Sequence, residues 1–133
     1  VDVKSGIVNF ARAGHTPLLL VRNNDLIELK PRGIGLGLTF SNKFEDIIEE
    51  HVITLNNNDM LVLYTDGVTE AKNSELQDFG EEHFERILLN EKENSAQAAT
   101  ESVLREISLF SKDTQQHDDI TLLIFKWNKT NGE

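Results

Sequence analysis

Asp59-Met60-Leu61-Val62-Leu63-Tyr64-Thr65-Asp66-Gly67 decides how this chain is read. The run from Met60 to Tyr64 is continuously apolar and too short for a helix, so it is expected to be a central strand covered on both faces. Asn56-Asn57-Asn58-Asp59 ahead of it is a strong turn signal. Working backwards, His51-Val52-Ile53-Thr54-Leu55 suits a strand. Leu26-Ile27-Glu28-Leu29 and Leu18-Leu19-Leu20-Val21 read as the two arms of a hairpin about Asn23-Asn24-Asp25. Val3 to Ala13 alternates imperfectly, and Gly33-Ile34-Gly35-Leu36-Gly37 is too glycine-dense for a regular element. Working forwards, the period changes. Asp78 with Glu81 resembles a capping box ahead of a short helix whose apolar face is Phe84, Ile87 and Leu88. A second helix starts near Ser95, with Ala96, Ala99, Val103, Ile107 and Phe110 on one side and Gln97, Glu101 and Arg105 on the other. Ile120 to Phe125 closes the chain as another strand expected to be covered on both faces, and residues 129–133 form a polar tail.

Strands, then two helices, then a returning strand indicate an α+β fold, a layered sandwich. The 133 residues amount to one domain without internal repeat or linker. A helix-covered sandwich normally has more than the six or so strands seen here. With Val1 in place of an initiator methionine, the chain is therefore expected to be a piece of a longer protein whose N-terminal strands are missing. Such a piece should expose apolar sheet surface and self-associate through its edges.

Composition removes several functions. Lysine and arginine number 13 against 23 acidic residues, a formal charge of −10, so the basic footprint of a nucleic-acid binder is absent. There is no cysteine, which excludes disulfides, thiolate zinc sites and cysteine nucleophiles and fits a cytoplasmic setting, and equally the cytosolic portion of a membrane protein. No apolar run is long enough to span a membrane. The serines include no Gly-x-Ser-x-Gly elbow, and the glycine stretch has no following Lys-Ser or Lys-Thr. His15, His51, His83 and His117 are far apart in sequence and read as surface or hydrogen-bonded histidines.

The carboxylates are more informative. Asp66 directly follows one buried strand, and Asp118-Asp119 directly precedes another. If those strands are antiparallel neighbours, Asp66 and Asp118 meet at one rim. Two carboxylates held together need a shared proton or a cation. With only oxygen ligands in view, that cation is hard: magnesium, manganese or calcium. Taken singly, each feature has a plainer reading, Asp-Gly as a turn and Asp-Asp as a solvated loop.

Five segments, in order, resemble one family. Residues 59–71, ending Asp66-Gly67-Val68-Thr69-Glu70-Ala71, look like the hallmark of the bacterial SpoIIE/RsbU-type serine/threonine phosphatases of the metal-dependent PPM (PP2C-like) superfamily. Ala13-Gly14-His15-Thr16-Pro17, Gly33 to Gly37, Phe79-Gly80 and Asp118-Asp119-Ile120-Thr121 also match, so the likeness runs from Ile7 to Trp127. It implies a PP2C-like β-sandwich flanked by helices, with residues 1–128 as the C-terminal portion of the catalytic domain. It also implies Asp66 and Asp118 as catalytic metal ligands, Glu70 as an accessory acid and Asp119 behind them. The implied reaction is hydrolysis of phosphoserine or phosphothreonine by water activated between two Mn2+ or Mg2+ ions, on a phosphorylated anti-anti-sigma-type regulatory protein. Arg12 stands where relatives have asparagine, and Gly35 where they have proline. The family's earlier Asp-Gly has no counterpart before Ile7, so the piece alone is expected to be inactive. A pseudophosphatase that only binds partners is the competing reading, and a plain α+β interaction domain the third.

Overall fold

The computed structural model describes residues 1–38, 43–112, 114 and 118–128. Six strands and three α-helices follow in the order β1 (Ile7–Ala11), β2 (Leu18–Arg22), β3 (Asp25–Leu29), α1 (Phe44–Ile47), β4 (Glu50–Thr54), β5 (Met60–Tyr64), α2 (Glu81–Asn90), α3 (Ala96–Phe110) and β6 (Leu122–Lys126). A 3₁₀ turn, Asp66–Val68, follows β5. The polar tail expected at 129–133 and His117 lie outside the described residues.

The strands form two antiparallel sheets, β1-β4 and β3-β2-β5-β6. The apolar runs acquire their meaning here. In β2, Leu19 and Val21 face the helices while Leu18 and Leu20 face the smaller sheet, and all four are buried. In β5, Met60, Val62 and Tyr64 join the helix-side core and Leu61 the inter-sheet core. A strand with two dry faces needs no polar alternation. The helix-side core also contains Phe84, Ile87 and Leu88 of α2 and Ala99, Val103 and Ile107 of α3, the faces expected from their spacing. Ser95 caps α3, its side chain accepting from the Ala98 N–H at 3.1 Å.

Two expectations are corrected. β6 is an edge strand, and its Leu123 is 54% exposed opposite Leu63 at 42%. Both lie on the inter-sheet face and line an open cleft together with Phe10 and Ala11 of β1. Asp78 does not cap α2: the cap position is Gly80, in the left-handed region at φ +83°, without a side-chain bond. Asp78 pairs with Lys72 instead.

The other end of β5 is pinned by a buried ion pair. Asp59, 2% exposed, accepts from Arg22 Nε at 3.1 and 3.0 Å, from Nη2 at 2.5 Å and from the Asn56 N–H at 2.7 Å. Its carbonyl accepts from the Trp127 N–H at 2.8 Å, so β2, β5 and the end of β6 are tied at one point. Asp59→Ala would strand a guanidinium and a backbone N–H, and should cost about 3 kcal/mol, the low end for a buried pair because Arg22 keeps some contact with water. Urea unfolding of the two chains measures it; a loss below about 1 kcal/mol would show that the fork is not holding the strands.

Candidate functional site

β5 and β6 pair antiparallel, with Tyr64 opposite Leu122, so the end of β5 and the start of β6 fall at the same rim. Pairing continues past the strands: the Thr65 N–H donates to the Thr121 carbonyl at 3.0 Å. The Thr65 hydroxyl donates to the Asp119 carbonyl at 3.0 Å and accepts from the Thr121 N–H at 2.9 Å. One hydroxyl therefore stitches the segment carrying Asp66 to the segment carrying Asp118. Nothing in the residue type of Thr65 announced this, since the role depends on which strand lies beside it.

The glycine after Asp66 is required by the same closeness. A Cβ on Gly67 would lie 2.4 Å from the Asp119 carbonyl oxygen, an impossible contact with backbone. Beyond it the 3₁₀ turn folds the chain back, with the Glu70 N–H donating to the Asp66 carbonyl at 2.8 Å. Asp66 Oδ1 accepts from the Gly67 N–H at 3.0 Å, and Asp118 Oδ1 from the Asp119 N–H at 2.7 Å. Asp66, Glu70, Asp118 and Asp119 are all exposed. Glu70 and Asp118 line one cleft of about 370 Å³, with Gly67, Lys72, Lys112 and the C-terminal half of α3.

The structure thus brings the segments bearing Asp66, Glu70 and Asp118 to one rim, with Asp119 behind them as a backbone acceptor. Their oxygen donors suit a hard cation. Among the described residues, however, no group of three or more histidine, cysteine or acidic side chains stands close enough together to hold an ion. The fit is to part of a coordination shell, the remainder being left to water or to groups from elsewhere. Of the histidines, His51 stacks on Phe10 and His83 on Phe79, with ring centroids 5.5 and 4.4 Å apart. His15 stands in a loop bound to the end of β5, since the Thr16 hydroxyl donates to the Tyr64 carbonyl.

The helix side of the rim is strongly acidic. Burial pushes up the pKa of the Tyr64 hydroxyl, with Glu81, Glu28 and Glu85 adding to the effect. Burial likewise raises the Glu85 carboxyl, reinforced by Glu28, Glu81 and Glu82.

A family model described as stage II sporulation protein E (SpoIIE) matches residues 1–128. The chain belongs to the SpoIIE family. It is 29% identical over 126 residues to the phosphoserine phosphatase RsbU of Bacillus subtilis (strain 168), covering 88% of this chain and 34% of that protein. Among solved structures it resembles the SiaA-PP2C domain of Pseudomonas aeruginosa, with a TM-score of 0.73 and 21% identity over 90% of this chain and 46% of that one. The Mn-presoaked phosphatase domain of the Bacillus subtilis cell fate determinant SpoIIE gives 0.67 and 18%, over 100% and 56%. These structures establish the PP2C fold expected from the sequence. The chain spans about a third of the length of the curated relative and about half of these two solved chains.

The raised Glu85 carboxyl has a consequence for stability. Because its pKa is higher folded than unfolded, the folded state binds the extra proton between the two values, and stability falls as pH rises through that window. Glu85→Gln should therefore melt higher than the parent at neutral pH. The difference should vanish as the pH drops below the usual glutamate range. Melting curves across that range decide it, and a gap that does not change with pH would contradict the assignment.

Proposed function

We propose that residues 1–128 are the C-terminal portion of a PPM-type phosphatase domain, which hydrolyses phosphoserine or phosphothreonine on a regulatory protein. The observation that carries this reading is the Thr65 stitch, which fixes the Asp66 and Asp118 segments side by side in a chain of the SpoIIE family. Asp66 and Asp118 would hold Mn2+ or Mg2+ with their carboxylates, and Glu70 would supply a further acid on the adjoining turn. When bound, such an ion lowers the pKa of its water and neutralises charge developing on phosphoryl oxygens. The protein's own work is to hold the two acid-bearing segments side by side, so that an ion held there would offset the repulsion between a chain of charge −10 and a phosphorylated partner. No side-chain nucleophile is required. The partner we propose is a phosphorylated anti-anti-sigma-type regulator in the cytoplasm, the reading that family membership favours. No helix among the described residues is long and apolar enough to cross a membrane.

A second reading, a pseudophosphatase that binds its partner without cleaving phosphate, is favoured by the lack of a three-acid cluster among the described residues. Turnover separates the two. In the longest natural polypeptide containing this sequence, Asp66→Asn should reduce Mn2+-dependent hydrolysis of p-nitrophenyl phosphate to background while the circular dichroism spectrum is unchanged; unaltered turnover would remove Asp66 from the chemistry. Residues 1–133 alone should show little turnover and weak Mn2+ binding. Activity equal to that of the longer polypeptide would mean that these residues complete the site by themselves.

A further inference from the structure

The cleft that Glu70 and Asp118 line has a second wall, whose chemistry the proposed reaction does not use. Leu104, Ile107, Ser108 and Ser111 recur at three- and four-residue steps along the C-terminal half of α3 and its cap, and all four line the cleft. Ile107 is buried, but Leu104 is 44% exposed, an apolar side chain that the chain itself leaves half uncovered. From the acid-bearing side, Ala71 and Ile120 line the same space.

Hydrogen bonds hold the two walls together. The Thr114 hydroxyl lies 2.7 Å from the Lys72 carbonyl and 3.0 Å from the Ser111 carbonyl, and both can only accept. One donor therefore joins the turn after α3 to the chain that leaves the Asp66 turn. The cleft is a feature of the backbone and does not depend on side-chain packing alone.

Two cations line it, and they are not equally engaged. Lys72 pairs with Asp78. Lys112 forms no ion pair with any described carboxylate, Glu70 and Asp118 of the same cleft included. It follows the last turn of α3, where a positive charge complements the helix dipole, a role that leaves the ammonium open to a ligand. On the same wall, Ser111 Oγ is buried and has no hydrogen-bond partner among the described residues. This wall thus carries polar groups that the protein does not itself use.

Size and charge narrow the occupant. A cleft of about 370 Å³ lies in the range that takes a whole small molecule, more than a phosphoryl group needs. In a chain of charge −10, an unpaired lysine beside an exposed leucine is a local exception. An apolar stem with an anionic head matches both.

We propose that this cleft is a specificity subsite for a residue flanking the phosphorylated serine or threonine, and that it takes an aspartate or glutamate, the methylenes against Leu104 and the carboxylate on Lys112. The inference rests on the phosphatase reading above, because it needs a phosphopeptide held at the rim of Asp66 and Asp118. Lys112 selects the substrate away from the reacting atoms and takes no part in bond making or breaking. Its attraction is short-ranged, whereas the net charge of the chain repels an acidic peptide at every other position. An acid should therefore help at one place along the peptide and nowhere else.

The test uses the longest natural polypeptide containing this sequence, with Mn2+. Values of kcat/KM are compared for phosphoserine peptides carrying glutamate, glutamine or lysine at each of the three positions on either side of the phosphoserine. The parent should favour glutamate over glutamine by about fivefold at one of those positions, the strength of a partly exposed ion pair. Lys112→Gln should remove that preference, and Lys112→Glu should convert it into a preference for lysine at the same position. Lys112 is exposed, so neither substitution disturbs the core. Ratios between peptides are the readout, because a loss of metal or of folded protein lowers all of them together. A parent without a glutamate preference at any position overturns the proposal, and so does a preference that survives both substitutions. A parent that cleaves none of the peptides overturns the phosphatase reading itself, and this subsite with it.

Discussion

The antiparallel pairing of β5 with β6 is the constraint on which the rest depends. It makes the C-terminal end of one strand the neighbour of the N-terminal start of the other, so residues distant in sequence share a rim. Thr65 extends the pairing one step beyond the strands, and Gly67 permits it by having no side chain to collide with the Asp119 carbonyl. Without that step, the Asp66 and Asp118 segments would end in separate loops. With it, they are held side by side, and the proposed cation site rests on that arrangement.

The two ends of β5 are held by different means, and the difference suits their tasks. At its start, Asp59 is buried in a guanidinium fork and a backbone bond, an arrangement that fixes register and excludes water. At its end, the acids are exposed and held by backbone and hydroxyl bonds, which leaves carboxylate oxygens in reach of solvent and ligands. Helix-side packing of Tyr64 against Phe84, ring centroids 4.9 Å apart, keeps the last residue of the strand from drifting. The buried ion pair and the exposed acids thus sit at opposite ends of one strand.

Much of this was legible in the residues. The apolar strands β2 and β5, the hairpin about Asn23, and the apolar faces of α2 and α3 all follow from period and turn chemistry, which are local. The capping of α3 by Ser95 was equally visible. The capping box at Asp78 failed because Lys72, brought close by the chain's fold-back, competes for the carboxylate. β6 looked like an interior strand because its composition reports apolarity and not neighbours; only the sheet order makes it an edge. The candidate site was half legible for the same reason. Asp66 and Asp118 stand out beside their strands, but the meeting of their segments is a non-local fact, and Thr65 carries no local signal of its place at the rim.

The central claim is that Asp66 and Asp118 act on one divalent ion as a pair. A double-substitution cycle on Mn2+ affinity tests it most directly, using calorimetric titration of the longest natural polypeptide containing this sequence with Asp66→Asn, Asp118→Asn and both. Shared coordination predicts coupling: the double variant should bind only slightly more weakly than either single one, the combined loss falling short of the sum of the two by about 1 kcal/mol or more. Losses that simply add, or a single variant that binds Mn2+ as the parent does, would contradict it.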